Sequence, residues 1–149
     1  MTKILLIQGA NMAWLGRRQP EIYGTVAAAE LDRRLLAMAQ ARAIDLEILY
    51  THLEGEAIAR IYRAVDDGTL GLVMNPAGFS YGGHALRDCL LGCDSLPYIE
   101  VHLSNLGKRG IRSITAPAAL GVIAGFGVEC YVLALDAMRA LLATRAKRE

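Results

Sequence analysis

The chain has 149 residues, a length that fits a single domain, residues 1–149, with a core large enough to fold without disulfides or metals. Its net charge of +1 gives no reason to expect nucleic acid or an anionic membrane as a partner. The hydrophobic fraction of 54% exceeds the usual level of about 45–50%, which predicts a large core or a surface buried between subunits, and we favour a homo-oligomer.

The predicted elements alternate between short apolar runs and longer helical patterns. In chain order they are a strand at 3–8, a helix at 26–42 with Thr25 as its N-cap, a strand at 45–50, a helix at 54–68, a strand at 70–75, a helix from near His84, strands at 96–103 and 120–125, and a helix at 129–147. Such alternation requires crossover connections between parallel strands. We therefore predict one α/β domain with a flavodoxin-like, doubly wound, five-stranded parallel sheet and helices on both faces.

The cysteines and the apolar segments bear on the cell compartment. Cys89, Cys93 and Cys130 lack the paired spacing of a zinc site or a redox motif. We interpret them as packing thiols in a reducing compartment, which predicts a cytoplasmic protein without a metal site. The early apolar run "ILLIQGANM" is too short for a signal peptide, and no segment approaches the length of a membrane span.

Ligands of doubly wound sheets bind beyond the carboxyl ends of the strands. Polar side chains collect in the segments that follow the predicted strands, namely Asn11, Arg17, Arg18, Tyr23, Asn75, His102, Ser104, Asn105 and Arg109. Amides, guanidinium groups, an imidazole and a phenol in one pocket suit a small anionic, oxygen-rich substrate.

The stretch "PYIEVHLSN" places Glu100 and His102 two residues apart on a predicted strand, so both side chains lie on one face. A carboxylate beside an imidazole fixes its tautomer and orientation and favours the imidazolium form. Such a histidine can give a proton to a departing hydroxyl. A purely structural pair in the core is the alternative.

The segment "GRRQPEIYG" is polar and contains Pro20, so we predict a mobile loop rather than a regular element. It carries Arg18 and Tyr23. A guanidinium near a phenol favours the phenolate, which makes Tyr23 a candidate base for a carbon-bound proton if loop closure excludes water. A surface loop with incidental charges is the alternative.

Together these stretches resemble a known family. The resemblance runs from Lys3 to about Leu142 and is carried by "GANMAWLGRRQPEIYG", "NPAGFS", "ALRD", "IEVHLSN" and "GVIAGFG", which look like the motifs of type II 3-dehydroquinate dehydratase. It implies a flavodoxin-like fold, trimers grouped into a dodecamer, and no cofactor or metal. It also implies a lyase that removes water from 3-dehydroquinate to give 3-dehydroshikimate. The biosynthetic or catabolic direction stays open.

The resemblance also implies roles for individual residues. Tyr23 would remove the proton next to the ketone, with Arg18 holding its phenolate form. Asn11 would stabilise the enolate, and His102, oriented by Glu100, would protonate the leaving hydroxyl. The substrate-binding set would comprise Asn75 with the backbone N–H groups of Leu103 and Ser104 at the carboxylate, Asp88 reaching a neighbouring subunit's site, and Arg109 in a second flexible loop.

Three departures from the family pattern concern substrate recognition. Tyr81 stands where the family has a histidine that binds ring hydroxyls, and whether His84 substitutes for it is open. The loop at 106–120 is shorter than usual, so Arg112 matches a substrate-contacting arginine only with a suitably placed gap. Ala10, Met12 and Trp14 are unusual in the first loop.

These departures keep two other hypotheses open: a related dehydratase acting on another cyclic hydroxy-keto acid, and a non-catalytic flavodoxin-like binding module. A flavin carrier would need a hydroxyl-rich phosphate loop after the first strand, which "QGANMAWLG" lacks. A phospho-acceptor receiver would need acidic residues at the strand ends, and the first and third strands have none there.

Overall fold

The computed structural model of the chain describes residues 1–148. Five parallel strands form one sheet in the order β2-β1-β3-β4-β5. They are β1 (Thr2–Ala10), β2 (Ile44–Tyr50), β3 (Gly71–Ala77), β4 (Tyr98–His102) and β5 (Gly121–Ala124). The predicted sheet is confirmed, with boundaries that differ by a few residues.

Helices cover both faces of this sheet. They are α1 (Pro20–Tyr23), α2 (Ala28–Ala41), α3 (Glu54–Asp66), α4 (His84–Leu91) and α5 (Glu129–Ala146). Buried side chains of α2 and α5 pack with Ile4 and Leu6 of β1, whereas those of α3 and α4 pack with Leu5 and Ile7. Alternate side chains of β1 therefore pack into two separate cores, as expected for a strand that is covered on both faces. Within residues 1–148, no helix is both long and apolar enough to cross a membrane.

Two local predictions were wrong. The segment predicted to lack regular structure contains the single-turn helix α1, because Pro20 occupies a first-turn position where its missing N–H is no loss. Thr25 is not an N-cap, since α2 begins after Ala27. Residues 25–27 instead lie against Gly16, where an added Cβ would be 3.0 Å from the carbonyl oxygen of Thr25.

The carboxyl ends of β1 and β3 approach closely, and this places the loops that follow them side by side. A Cβ added at Gly9 would lie 2.2 Å from the carbonyl oxygen of Pro76, so only glycine fits there. One residue further on, Ala77 ends β3 with φ +47° and ψ −119°, a conformation suited to glycine.

Replacing Ala77 with glycine is expected to raise the free energy of unfolding by about 1 kcal/mol, because relief of the backbone strain exceeds the added entropy of the unfolded chain. Urea denaturation measures the change. The matched control is Ala140→Gly. Ala140 is exposed on α5 and has ordinary helical geometry, so this substitution should lower the free energy of unfolding by about 1 kcal/mol. A loss of similar size in Ala77→Gly would contradict the strain at this position.

Candidate active site

A cavity opens at the carboxyl edge of the sheet, between the segments that follow β1, β3 and β4. Its empty volume, including the open mouth, is about 610 Å³. The predicted residues that line it are Asn11, Arg18, Tyr23, Asn75, Tyr81, His102, Leu103, Ser104 and Arg109. The fold thus brings most of the predicted polar groups to one place.

Glu100 and His102 lie on one face of β4, and both are buried. A carboxylate oxygen of Glu100, Oε2, lies 2.7 Å from Nε2 of His102. His102 lines the cavity and Glu100 is behind it. Because an ionised carboxylate can only accept, this contact places a proton on Nε2 and leaves Nδ1 for the cavity.

The charge of Glu100 is maintained by its hydrogen bonds. Burial by itself would raise the pKa of this carboxyl, but hydrogen bonds from His102, Thr115 and Tyr98 outweigh burial and hold the pKa below its usual value. Glu100 is therefore an anion at neutral pH, although it is fully buried.

Two arginines contact Tyr23. Nη2 of Arg109 donates a hydrogen bond of 3.2 Å to the phenol oxygen of Tyr23, and Nη1 donates one of 3.0 Å to Oγ of Ser104. The guanidinium of Arg18 lies over the ring of Tyr23, 5.9 Å from its centroid. Arg109 thus contacts both the phenol oxygen and the ring of Tyr23, 5.4 Å from the ring centroid, whereas Arg18 contacts the ring face.

The side-chain amide of Asn75 has a defined orientation. Its Oδ1 accepts a hydrogen bond of 3.0 Å from the N–H of Ala77, and its Nδ2 donates one of 3.0 Å to Oη of Tyr131. Tyr131, whose pKa is raised by burial, donates in turn to Oε1 of Gln8 over 2.7 Å. The second N–H of Nδ2 donates to Sδ of Met12 over 3.4 Å, and because a thioether sulfur is a weak acceptor, a carboxylate in the cavity would be a stronger partner for this donor.

Asn11 begins the loop after β1 in a left-handed conformation, with φ +78°. Asparagine tolerates this conformation better than most residues. Its backbone N–H donates a hydrogen bond of 2.9 Å to Nδ1 of His52, which follows β2. His52 was not among the predicted site residues.

Two predicted substrate contacts lie away from this cavity. Asp88 is exposed on α4, and Arg112 is exposed in the segment before the last strand; neither lines the cavity. His84, at the first position of α4, does not line it either. The roles of Asp88 and Arg112 stay predictions. Across residues 1–148, no three or more His, Cys, Asp or Glu side chains are placed to hold a metal ion.

Comparison with known proteins supplies the family. The family model for dehydroquinase class II matches residues 2–139. The chain belongs to this family. It is 41% identical to the 3-dehydroquinate dehydratase of Xanthomonas campestris pv. campestris strain 8004, over 95% of this chain and 97% of that protein. It is 42% identical to the 3-dehydroquinate dehydratase of Cellvibrio japonicus strain Ueda107, over 97% and 99%.

The fold agrees with solved members of the family. The type II dehydroquinase of Butyrivibrio crossotus DSM 2876 superposes with a TM-score of 0.89 and 34% identity, over 93% of this chain and 97% of that chain. The type II dehydroquinase of Propionibacterium acnes superposes with a TM-score of 0.86 and 35% identity, over 96% and 97%. The predicted family resemblance is confirmed.

In this class II dehydroquinase, the cavity also has members that sequence reasoning missed. They are the apolar side chains Met12, Leu15, Leu106 and Ile111, together with Ala77, Gly78 and Ser80. The apolar side chains make part of the cavity lining uncharged, and Sδ of Met12 lies 3.4 Å from Nδ2 of Asn75. Met12 and Leu15 lie inside a stretch that carries the family resemblance, but an apolar residue in a loop looks the same in the sequence whether it faces a core or a ligand. Tyr81, which was predicted, is 60% exposed and stands at the mouth.

Proposed function

We propose that this chain removes water from 3-dehydroquinate to give 3-dehydroshikimate by an elimination through an enolate. The cavity supplies one candidate base and one candidate acid, so the reaction needs no cofactor. The observation that carries the proposal is that Tyr23, with Arg109 on its oxygen, and His102, with Glu100 behind it, line the same cavity.

The first step is removal of a proton from the carbon next to the ketone. The phenolate oxygen of Tyr23 takes this proton, and the electron pair of the C–H bond forms the enolate. Arg109 donates a hydrogen bond to this oxygen, and Arg18 adds a positive charge at the ring. Asn11 stabilises the enolate oxygen with its side-chain amide, directly or through a water molecule.

The second step is loss of the hydroxyl. The enolate electrons reform the ketone and make the new carbon–carbon double bond while the carbon–oxygen bond breaks. The imidazolium of His102 gives its Nδ1 proton to the departing hydroxyl, which leaves as water. Glu100 keeps the ring in place and compensates its charge.

Substrate binding is assigned to the donors beside these groups. The amide N–H of Asn75 and the backbone N–H groups of Leu103 and Ser104 hold the substrate carboxylate, and Arg109 and Tyr81 contact the ring substituents. We propose that Asp88 acts in the site of a neighbouring subunit and that Arg112 reaches the substrate when the loop at 106–120 closes.

Turnover of 3-dehydroquinate tests the proposed reaction, because the conjugated enone of the product absorbs in the ultraviolet. We expect turnover without added metal or cofactor. Absence of turnover by pure, correctly assembled protein would overturn the assignment.

The exposed phenol of Tyr81 favours a second candidate. A site that hydrogen-bonds a substrate hydroxyl discriminates strongly against compounds that lack it, and a phenol offers different geometry from an imidazole. A panel of cyclic hydroxy-keto acids separates the two candidates, since a shifted specificity would show a higher kcat/KM for another member of the panel.

We further propose that the chain forms a homo-oligomer, a dodecamer built from trimers, in the cytoplasm. Support comes from large apolar side chains left exposed at and near the edge strand β5, namely Leu120, Val122 and Phe126, which are 61%, 48% and 66% exposed. Sedimentation velocity measures the assembly. The buried free cysteines fit a reducing compartment.

A further inference from the structure

A row of three polar side chains runs along one face of β4: Tyr98, Glu100 and His102, at i, i+2 and i+4. Oη of Tyr98 lies 2.7 Å from Oε1 of Glu100. Oγ1 of Thr115 also contacts Oε1, whereas His102 contacts Oε2. All four side chains are buried.

The donor in each of these contacts is fixed by chemistry. An ionised carboxylate only accepts hydrogen bonds, so both hydroxyls donate to it. Burial and the charge of Glu100 raise the pKa of Tyr98, which keeps the phenol protonated and able to donate. Two donors therefore occupy Oε1, and Oε2 is the oxygen left for the imidazole.

The other groups around Glu100 do not compete for it. Its register partners on the neighbouring strands are Met74 of β3 and Val122 of β5, both apolar. Oγ of Ser113 lies 3.2 Å from Oγ1 of Thr115, so Ser113 contacts Thr115 rather than the carboxylate of Glu100. The ionisable groups that face Glu100 are thus His102 and Tyr98, both from its own strand.

We propose that Tyr98 and Thr115 are positioning residues, whose hydroxyls keep Glu100 ionised with Oε2 turned towards His102, so that the imidazole keeps its proton on Nε2 and presents Nδ1 to the cavity. Neither residue lines the cavity. Both act through Glu100, and their effect on turnover depends on the dehydration proposed above.

Three conservative variants test this. Tyr98→Phe and Thr115→Val each remove one hydroxyl with little change in shape, whereas Thr115→Ser keeps the hydroxyl. We expect kcat for 3-dehydroquinate to fall by about tenfold or more in the first two, with little change in KM. We expect Thr115→Ser to retain nearly the wild-type kcat.

The pH dependence separates positioning from a merely structural role. Removing a donor destabilises the anionic form of Glu100, which raises its pKa. The acid limb of the kcat profile should therefore move to higher pH in Tyr98→Phe and Thr115→Val, and stay in place in Thr115→Ser. Lower thermal stability with an unmoved acid limb would overturn the proposal.

A readout independent of turnover is the ¹⁵N spectrum of the imidazoles in histidine-labelled protein, since the chain has three histidines. We expect Nε2 of His102 to stay protonated in both the neutral and the imidazolium forms, so that Nδ1 is the nitrogen that gains and gives up the second proton. We expect the neutral imidazole to show a mixture of tautomers in Tyr98→Phe and Thr115→Val. An unchanged tautomer in both variants would overturn the positioning role. Failure of the wild type to turn over 3-dehydroquinate would count against the proposed reaction only, because the spectra decide the tautomer by themselves.

Discussion

Tyr23→Phe is expected to lower kcat for dehydration of 3-dehydroquinate by about 10²–10⁴-fold, the range usual for loss of a general base. The substitution removes the one atom that would accept the substrate proton, the oxygen held by Arg109. The aromatic ring, which lies beside the guanidinium groups of Arg18 and Arg109, stays in place. The effect should therefore fall on kcat far more than on KM.

The control for this substitution is Tyr62→Phe, which removes the phenol oxygen of a tyrosine that is exposed on α3, outside the cavity. It should keep wild-type kinetics. Initial rates from the ultraviolet absorbance of the product measure both variants. A Tyr23→Phe enzyme within about threefold of the wild-type kcat would exclude the phenol as the base, since even weak general-base catalysis contributes far more.

His102→Ala is expected to lower kcat by a comparable factor, about 10²–10⁴-fold, because the hydroxyl would have to leave without a proton donor. The loss has a second cause. Truncation leaves Glu100 as a buried anion without its imidazole partner, which is unfavourable. His102→Gln changes the side-chain volume less than His102→Ala does. It keeps an N–H donor for Glu100 but cannot supply an acidic proton.

We expect His102→Gln to be better folded than His102→Ala and equally impaired in kcat. His84→Ala is the control, since this histidine begins α4 and does not line the cavity. Steady-state kinetics and thermal unfolding are measured together. If His102→Gln turned over substrate at nearly the wild-type rate, the imidazole would not be the acid.

The sheet and the Glu100–His102 pair could be predicted from the sequence because both depend on local periodicity. Alternation along β4 placed Glu100 and His102 on one face, and the structure confirms this. The same alternation extends to Tyr98, so the hydroxyl on Glu100 could have been found by continuing the pattern two residues back. Thr115 could not, because it comes from a separate loop.

Contacts between segments that are far apart in the chain could not be predicted from local sequence patterns. Arg18 was predicted as the partner of Tyr23 because it is close in sequence, whereas the hydrogen bond to the phenol oxygen comes from Arg109, 86 residues away. The link from Asn75 to Tyr131 spans 56 residues. The first pair is set by how the segments after β1 and β4 converge, and the second by the packing of α5 against β3. Both are properties of the packed sheet rather than of any motif.

The separate roles of Tyr23 as base and His102 as acid are tested most directly by deuterium exchange at the carbon next to the ketone of 3-dehydroquinate. Proton NMR in D₂O monitors this exchange. If Tyr23 forms the enolate and His102 acts only afterwards, His102→Ala should still exchange this proton while failing to eliminate water. Tyr23→Phe should do neither. Loss of exchange in His102→Ala, or its retention in Tyr23→Phe, would contradict the two separate roles.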